Sequence, residues 1–313
     1  LSPLHPSSPL FPDGLIAPIW LRKHRELVPA VFVSFYCLTE QQSEAAKDAI
    51  IEDGVAPNGG LSGIELKKRD EDLIRVISDR KRALSERGIK FTVVLLTTRT
   101  MLESPSLESR LSYIRRNSQL DSKASLFVLT PVTRGELGEF VTSLQTALYD
   151  SALDYYREHY RRAKKKRSRY PPPASTVTQI MNAAAEIRGS PIKDNPLSKE
   201  GWLARNDYKL GTFAELTSNL NEALTHYIAA YQALVNELLA STMLLPPRTK
   251  RWAEAKVLSD CLNLKICKIH LYRNDGDGAW EQFKAHLKRF TELSQGWGIG
   301  EMTLEFWSWL GKQ

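Results

Sequence analysis

The chain is short of cysteine, of long apolar runs and of the glycine signatures that hold phosphates. Each shortage removes a class of function. The longest near-continuous apolar run is Ala30 to Leu38, far below the roughly 20 residues that a membrane-spanning helix needs. Three cysteines are too few for a disulfide framework and point to a reducing compartment. No G-x-x-x-x-G-K-[ST] segment occurs, so the usual loop for a nucleoside triphosphate is absent. The chain opens at Leu1 with no signal-peptide pattern, and it reads as a fragment of a longer protein. What is present is ordinary for a globular protein: 313 residues, 42% apolar and 25% charged. At roughly 150 residues per domain, that length suggests about two domains.

The formal charge of +7 is not spread over the chain. Between Arg157 and Arg169 stand eight basic residues, Arg157, Arg161, Arg162, Lys164, Lys165, Lys166, Arg167 and Arg169, with Glu158 the one acid among them. Outside this run, 35 basic residues meet 35 acidic ones. A neutral protein with one basic segment differs from a nucleic-acid binder, whose charge covers a face and is interleaved with aromatics. Here Tyr155, Tyr156 and Tyr160 precede the run and suit one face of a helix. No nucleic-acid partner is expected. The bland reading of the run is a solvated, disordered loop. The functional reading is contact of Arg161, Arg162, Lys164, Lys165, Lys166, Arg167 and Arg169 with an anionic membrane or an acidic partner.

Hydrophobic patterning divides the chain in two. After a proline-bearing lead-in (Pro3, Pro6, Pro9, Pro12), residues 30–38, 91–96 and 125–129 form short apolar runs with no polar face, as buried strands do. Helical stretches separate them, at 40–52 and 68–88, and from Ser104 and Pro105 to about Arg116. Gly88 is placed as a left-handed cap. Strands joined through helices are parallel, with right-handed crossovers. The expectation is a partial, Rossmann-like α/β domain over 1–167. It ends in a long helix, about 135–165, that runs into the basic segment. The glycine-rich stretch at 53–67 reads as a surface insertion. Residues 168–200, with Pro171, Pro172 and Pro173, read as a flexible linker.

From 201 to 313 the signal is helical. Gly211, Ala223, Tyr227 and Ala230 reproduce part of the tetratricopeptide spacing: small residues where two helices approach, and an aromatic beside them. Cys267, Ala279 and Phe283 echo it 56 residues later, with His286 in the last small position. The expected architecture is the start of an α-solenoid of TPR-like helical hairpins. The aromatic end, Phe306, Trp307 and Trp309, suggests that further hairpins cover it.

No constellation amounts to an active site. Asp275, Gly276 and Asp277 look like part of a calcium loop but lack its twelve-position ligand set, so a helix–helix turn is expected. Cys261 and Cys267 do not have zinc-ligand spacing and are expected in the core. Asp70, Glu71 and Asp72 are expected solvated at a helix start, where they favour the dipole. The glycines at 54–63 and 296–300 read as linkers, and His24, His159, His226, His270 and His286 are scattered without a catalytic motif. Neither a cofactor nor a metal is expected.

The ordered series of residues is nonetheless familiar. Gly14, Leu15, Ile16, Trp20, His24, Leu27 to Ala30, Phe35 and Tyr36 resemble the foie gras region of subunit 11 of the transport protein particle (TRAPP) complex, in the form of a fungal homologue. So do Ser125 to Leu129, Ala147, Tyr149, Ala152, Tyr155, Tyr156, Arg161 and Arg162. Phe213, Glu215, Leu216, Ala223, Leu224, Tyr227, Ala230, Tyr231, Glu237 and Leu238 continue the series. Lys265 to Cys267, Gln282 to Lys284 and His286 complete it. The resemblance spans about 14–310, with departures near 53–67 and 168–200. It implies a non-enzymatic scaffold subunit of a TRAPP III-type tethering complex, with other TRAPP subunits as partners and a Rab GTPase engaged indirectly. The associated process would be ER-to-Golgi transport and autophagy, and the location cytoplasmic, peripheral on Golgi or early secretory membranes. The competing reading is a nucleotide-binding or GTPase-like protein whose catalytic loop lies N-terminal to Leu1.

Overall fold

A computed structural model describes residues 15–16, 18–39, 63–120, 124–170 and 197–313. The lead-in and the helix expected at 40–52 lie outside the described residues, as do most of the insertion and most of the linker. By packing, the chain divides into a unit of residues 28–155 and a unit of residues 1–27 with 156–313. The sequence had placed its boundaries at 167 and 200.

The first unit is an α/β layer. Strands β1 (Val31–Cys37), β2 (Lys90–Leu96) and β3 (Leu126–Leu129) form one parallel sheet in the order β1-β2-β3. Phe32 lies opposite Phe91, and Val93 opposite Leu126. Central β2 is buried from Phe91 to Leu95, which is why its sequence shows no polar face. Helix α2 (Gly63–Ser85) leads into β2. It begins at Gly63, within the stretch expected as an insertion, because Ile64, Glu65, Leu66, Lys67 and Lys68 form the first turns of the helix. Gly88, at φ +72°, makes the left-handed turn between helix and strand. Short α3 (Arg99–Leu102) and then α4 (Ser106–Asn117) connect β2 to β3. Leu73, Ile74 and Ile77 of α2 and Leu107, Leu111 and Ile114 of α4 share one core with Phe32, Phe91, Val93 and Leu95. Both connecting helices therefore cover the same face of the sheet. On the opposite face, Phe140 meets Phe127 edge-on at 6.4 Å. Phe140 belongs to α5 (Arg134–Arg167), a 34-residue helix within which the division between units falls.

The second unit is helical. A short α1 (Pro18–Arg22) continues as a π-helical turn, Lys23–Leu27. Then come α6 (Lys199–Leu216), α7 (Leu220–Gln232) with a π-helical extension Ala233–Leu238, α8 (Lys250–Tyr272), α9 (Gly276–Gly296) and α10 (Leu304–Leu310). Helices adjacent in the chain pack on one another: α6 on α7, α7 on α8, α8 on α9. Their starts are written in the sequence. Ser198, Asn219, Thr249, Asp275 and Thr303 each accept a hydrogen bond from a backbone N–H of the first turn, satisfying donors that a helix leaves open.

Two turns are alike. After α6 the chain passes through Ser218 (φ +59°) to the cap Asn219, whose N–H bonds Ala214 at 2.9 Å. After α8 it passes through Asn274 (φ +58°) to Asp275, whose N–H bonds His270 at 3.0 Å. The same geometry recurs at the 56-residue offset of the sequence echo.

Candidate functional site

The residues singled out on the helices meet at the α6–α7 seam. Gly211 lies so close to Tyr227 that an added Cβ would stand 2.5 Å from a ring carbon. Ala223, Tyr227 and Ala230 are wholly buried. The Tyr227 hydroxyl donates to Glu215 at 2.6 Å, and Lys265 of α8 reaches the same carboxylate at 2.5 Å. Arg25 adds a third contact at 3.5 Å. Burial pushes the Glu215 carboxyl up, but the hydrogen bonds from Lys265 and Tyr227 outweigh it and hold the group below the usual carboxylate range. Burial first, then the Glu215 charge, raises the Tyr227 phenol far above its ordinary value, so it stays a donor.

At the second seam Ile266 and Ala279 are buried, and His286 fills the remaining position completely enclosed. An imidazole is tolerated there because its polar atoms are satisfied. Nδ1 shares a 2.9 Å hydrogen bond with Tyr231, and Nε2 meets Asp260 at 3.1 Å. Trp309 donates to the same Asp260 oxygen at 3.2 Å. Phe306 and Trp309 are thereby buried within the unit, whereas Leu304 and Trp307 stay exposed.

From Arg157 to Arg167 the basic run is the C-terminal end of α5 and not a loop, and Arg169 lies two residues past it. Its helical angles separate the residues. Ala163 is buried, whereas Arg161, Arg162, Lys164, Lys165, Lys166 and Arg169 are exposed. Glu158 pairs with Arg161 at 2.6 Å and with Arg162 at 3.0 Å. Arg167 turns inward and bonds the buried Asp207 at 2.8 Å. That oxygen also meets His226 Nδ1 at 2.9 Å, and His226 Nε2 meets Tyr160, which donates to Glu222. Arg167 thus belongs to a network tying α5 to α6 and α7. Sequence reasoning missed this network, since its members are spread from Tyr160 to His226.

Two other expectations need correction. Asp70 is buried, not solvated, because α2 begins seven residues earlier and turns it toward α4. There Arg110 grips both its oxygens at 2.6 Å and also donates to the Thr39 carbonyl at 2.6 Å. Cys261 is exposed on α8 instead of buried, while Cys267 is half-buried with its thiol 3.4 Å from the Ala279 carbonyl. His24, one of the scattered histidines, is brought beside another by the fold. It is 4% exposed, 5.2 Å from the His159 ring and 5.1 Å from Phe213. Burial, then the charges of His159, Lys23 and Lys209, lowers its pKa to about 4.

Elsewhere the polar groups serve the fold. Asp275 caps α9 through Gly278 and pairs with His270 at 2.7 Å, making Asn274 to Gly276 a helix–helix turn. Gly298 (φ +71°) lies in the turn after α9. Among the described residues, no three His, Cys, Asp or Glu side chains converge as a metal requires. Nor does the strand order reverse among the described strands, and such a reversal is where open α/β sheets bind nucleotides. No described helix is long and apolar enough to cross a membrane.

A parallel α/β unit followed by packed helical hairpins, with its polar clusters turned inward, defines an α/β-plus-helical protein whose seams are built by small residues and aromatics. Comparison with known proteins shows what the chain is similar to. Residues 1–56 and 63–137 match the family of the trafficking protein particle complex subunit 11 N-terminal domain, and residues 251–313 match foie gras liver health family 1. The chain is 26% identical over 306 residues to trafficking protein particle complex subunit 11 of Homo sapiens and of Bos taurus, and 26% identical over 305 residues to that of Gallus gallus. Each alignment covers 96% of this chain and 22% of the relative. The chain therefore spans about a fifth of the length of these curated relatives.

Proposed function

We propose that this chain is part of a scaffold subunit of a TRAPP III-type complex, contributing binding surface and no turnover. The observation that carries the reading is the similarity to subunit 11 across 96% of the chain, which runs through both units. The helical unit suits the role. Its hairpins pack in chain order and repeat one turn geometry, as expected of a TPR-like α-solenoid that grows by stacking and binds through an extended face. Its internal carboxylates are held by neighbours in the fold, as Glu215 is by Tyr227 and Lys265. In this reading the protein acts in ER-to-Golgi transport and autophagy, peripheral to Golgi or early secretory membranes. Rab exchange is carried out by other subunits, so the Rab contact is indirect.

The test is a tagged pull-down of the full-length natural protein from cell extract, read by mass spectrometry. Near-stoichiometric recovery of small TRAPP core subunits is expected. A clean preparation that recovers none of them and binds GTP or ATP specifically would replace the scaffold reading.

A further inference from the structure

The basic end of α5 is not the whole of the positive surface. Helical geometry spreads Lys164, Arg161, Lys165, Arg162 and Lys166 over about a 200° arc of α5, all exposed, and exposed Arg169 lies two residues past the helix end. The fold then brings cations from two other elements to the same side. Lys23, exposed on the π-helical turn, acts electrostatically on both His24 and His159. Arg162 acts on His159, and Lys209 of α6 acts on His24. The geometry agrees: the His24 ring, next in the chain to Lys23, is 5.2 Å from that of His159, one turn before Arg162, and Trp20, 5.0 Å from His24, has the Lys209 ammonium 5.3 Å from its ring centre. Nothing in the local sequence joins Lys23 or Lys209 to the run.

Two bland explanations fall short. Cations complement the dipole of a helix C-terminus within its last turn, where Lys164, Lys165 and Lys166 stand, but neither Lys23 nor Lys209 lies on that helix. Internal pairing accounts for Arg167, through Asp207, and in part for Arg161 and Arg162, through Glu158. Among the described residues, Lys164, Lys165, Lys166 and Arg169 have no carboxylate partner within salt-bridge distance. Aromatics stand at the edge of this surface. Tyr170 is 37% exposed, and its ring is 6.3 Å from that of Trp202, whose indole N–H donates to the Lys166 carbonyl at 3.2 Å. Lysine and arginine beside tyrosine and tryptophan on an exposed helix end is the composition that suits a lipid–water interface. An acidic peptide would be held better by a groove.

We propose that Lys164, Lys165 and Lys166 of α5 and Arg169 just past its end, with Lys23 and Arg162, form a docking surface for the anionic headgroups of a lipid bilayer. The surface stands independently of the scaffold reading. Neither its residues nor its test depends on a protein partner.

The test is co-sedimentation of the 313-residue chain with phosphatidylcholine vesicles, with and without phosphatidylserine, at low and at physiological salt. Binding is expected only with phosphatidylserine, and weaker at the higher salt. Lys23→Gln is expected to lower the apparent affinity about fivefold, the factor that about 1 kcal/mol per near-surface cation implies. Lys164→Gln/Lys165→Gln/Lys166→Gln is expected to lower it about 100-fold on the same scale. All these positions are exposed, and circular dichroism checks that each variant stays helical. No sedimentation of the wild type at low salt, or equal sedimentation with pure phosphatidylcholine, overturns the proposal. Binding to polyglutamate in place of vesicles also overturns it and marks an acidic-protein site. An unchanged Lys23→Gln beside a weakened triple variant overturns the assembled surface and leaves the linear run alone.

Discussion

Gly211→Ala offers the sharpest test of the hairpin packing. The new methyl would stand 2.5 and 2.6 Å from two ring carbons of Tyr227, about 1 Å inside ordinary contact. The ring has little room to retreat. It is fully buried, with its hydroxyl tied to Glu215 at 2.6 Å and the Lys265 ammonium 4.9 Å from the ring centre. Overpacking of this kind costs typically 1–3 kcal/mol, and a clash with a confined ring belongs near the upper figure. Alanine regains about 1 kcal/mol of helix propensity over glycine, so the net loss is about 2 kcal/mol. For a unit of this size each kcal/mol moves Tm by roughly 2–4 °C, and a fall of roughly 4–8 °C is expected by circular dichroism. In a Tyr227→Leu background the clash is gone, and Gly211→Ala should then raise Tm by roughly 2–4 °C. The coupling between the two sites is about 3 kcal/mol, at the upper end for residues in contact. An unchanged or raised Tm in the wild-type background, or the same change in both backgrounds, refutes the close approach of α6 and Tyr227.

Other outcomes follow from the buried charges. Arg110→Ala leaves the Asp70 carboxylate enclosed without its two 2.6 Å bonds, and breaking such a pair costs about 3–5 kcal/mol. The urea midpoint should fall clearly, and less in Asp70→Leu/Arg110→Leu. An equal or larger loss in the double variant would show that the pair is not what Arg110 supplies. His24, whose pKa is lowered by burial and by neighbouring His159, Lys23 and Lys209 to about 4, binds its proton more weakly folded than unfolded, where about 6.5 applies. Above pH 6.5 both states are neutral there. Below it the unfolded state takes up the proton first, so stability declines progressively until about pH 4. The full effect is roughly 3 kcal/mol. His24→Phe should flatten the urea-midpoint profile through this window relative to the wild type, and a parallel profile would discount His24 as the cause.

The strands were legible before any coordinates because each is a local pattern. Residues 30–38, 91–96 and 125–129 read as buried runs, and β1, β2 and β3 occupy Val31–Cys37, Lys90–Leu96 and Leu126–Leu129. Gly88 could be read as a cap because a helix needs a residue tolerant of positive φ at that place. Reading failed where the deciding partner is remote. Asp70 looks like any acid on a helix until Arg110, forty residues on, turns out to face it. The start of α2 at Gly63 was hidden by the glycine and proline just before it. Arg167 looked like the other members of its run, yet its position on the helix turns it toward Asp207, and Cys261 looked like Cys267 though the two lie on different faces of α8.

By itself the sequence determined the local terms: which segments are strands or helices, where helices are capped, and that the excess charge lies in one run. These depend on periodicity and on single residues that satisfy or deny backbone groups nearby. The tertiary structure alone decided which polar groups are buried, which cation is paired, and that His24 packs against His159 and Phe213. Burial and Coulomb energy depend on distances in space, and a distance between residues far apart in the chain is set only when the helices and strands have packed.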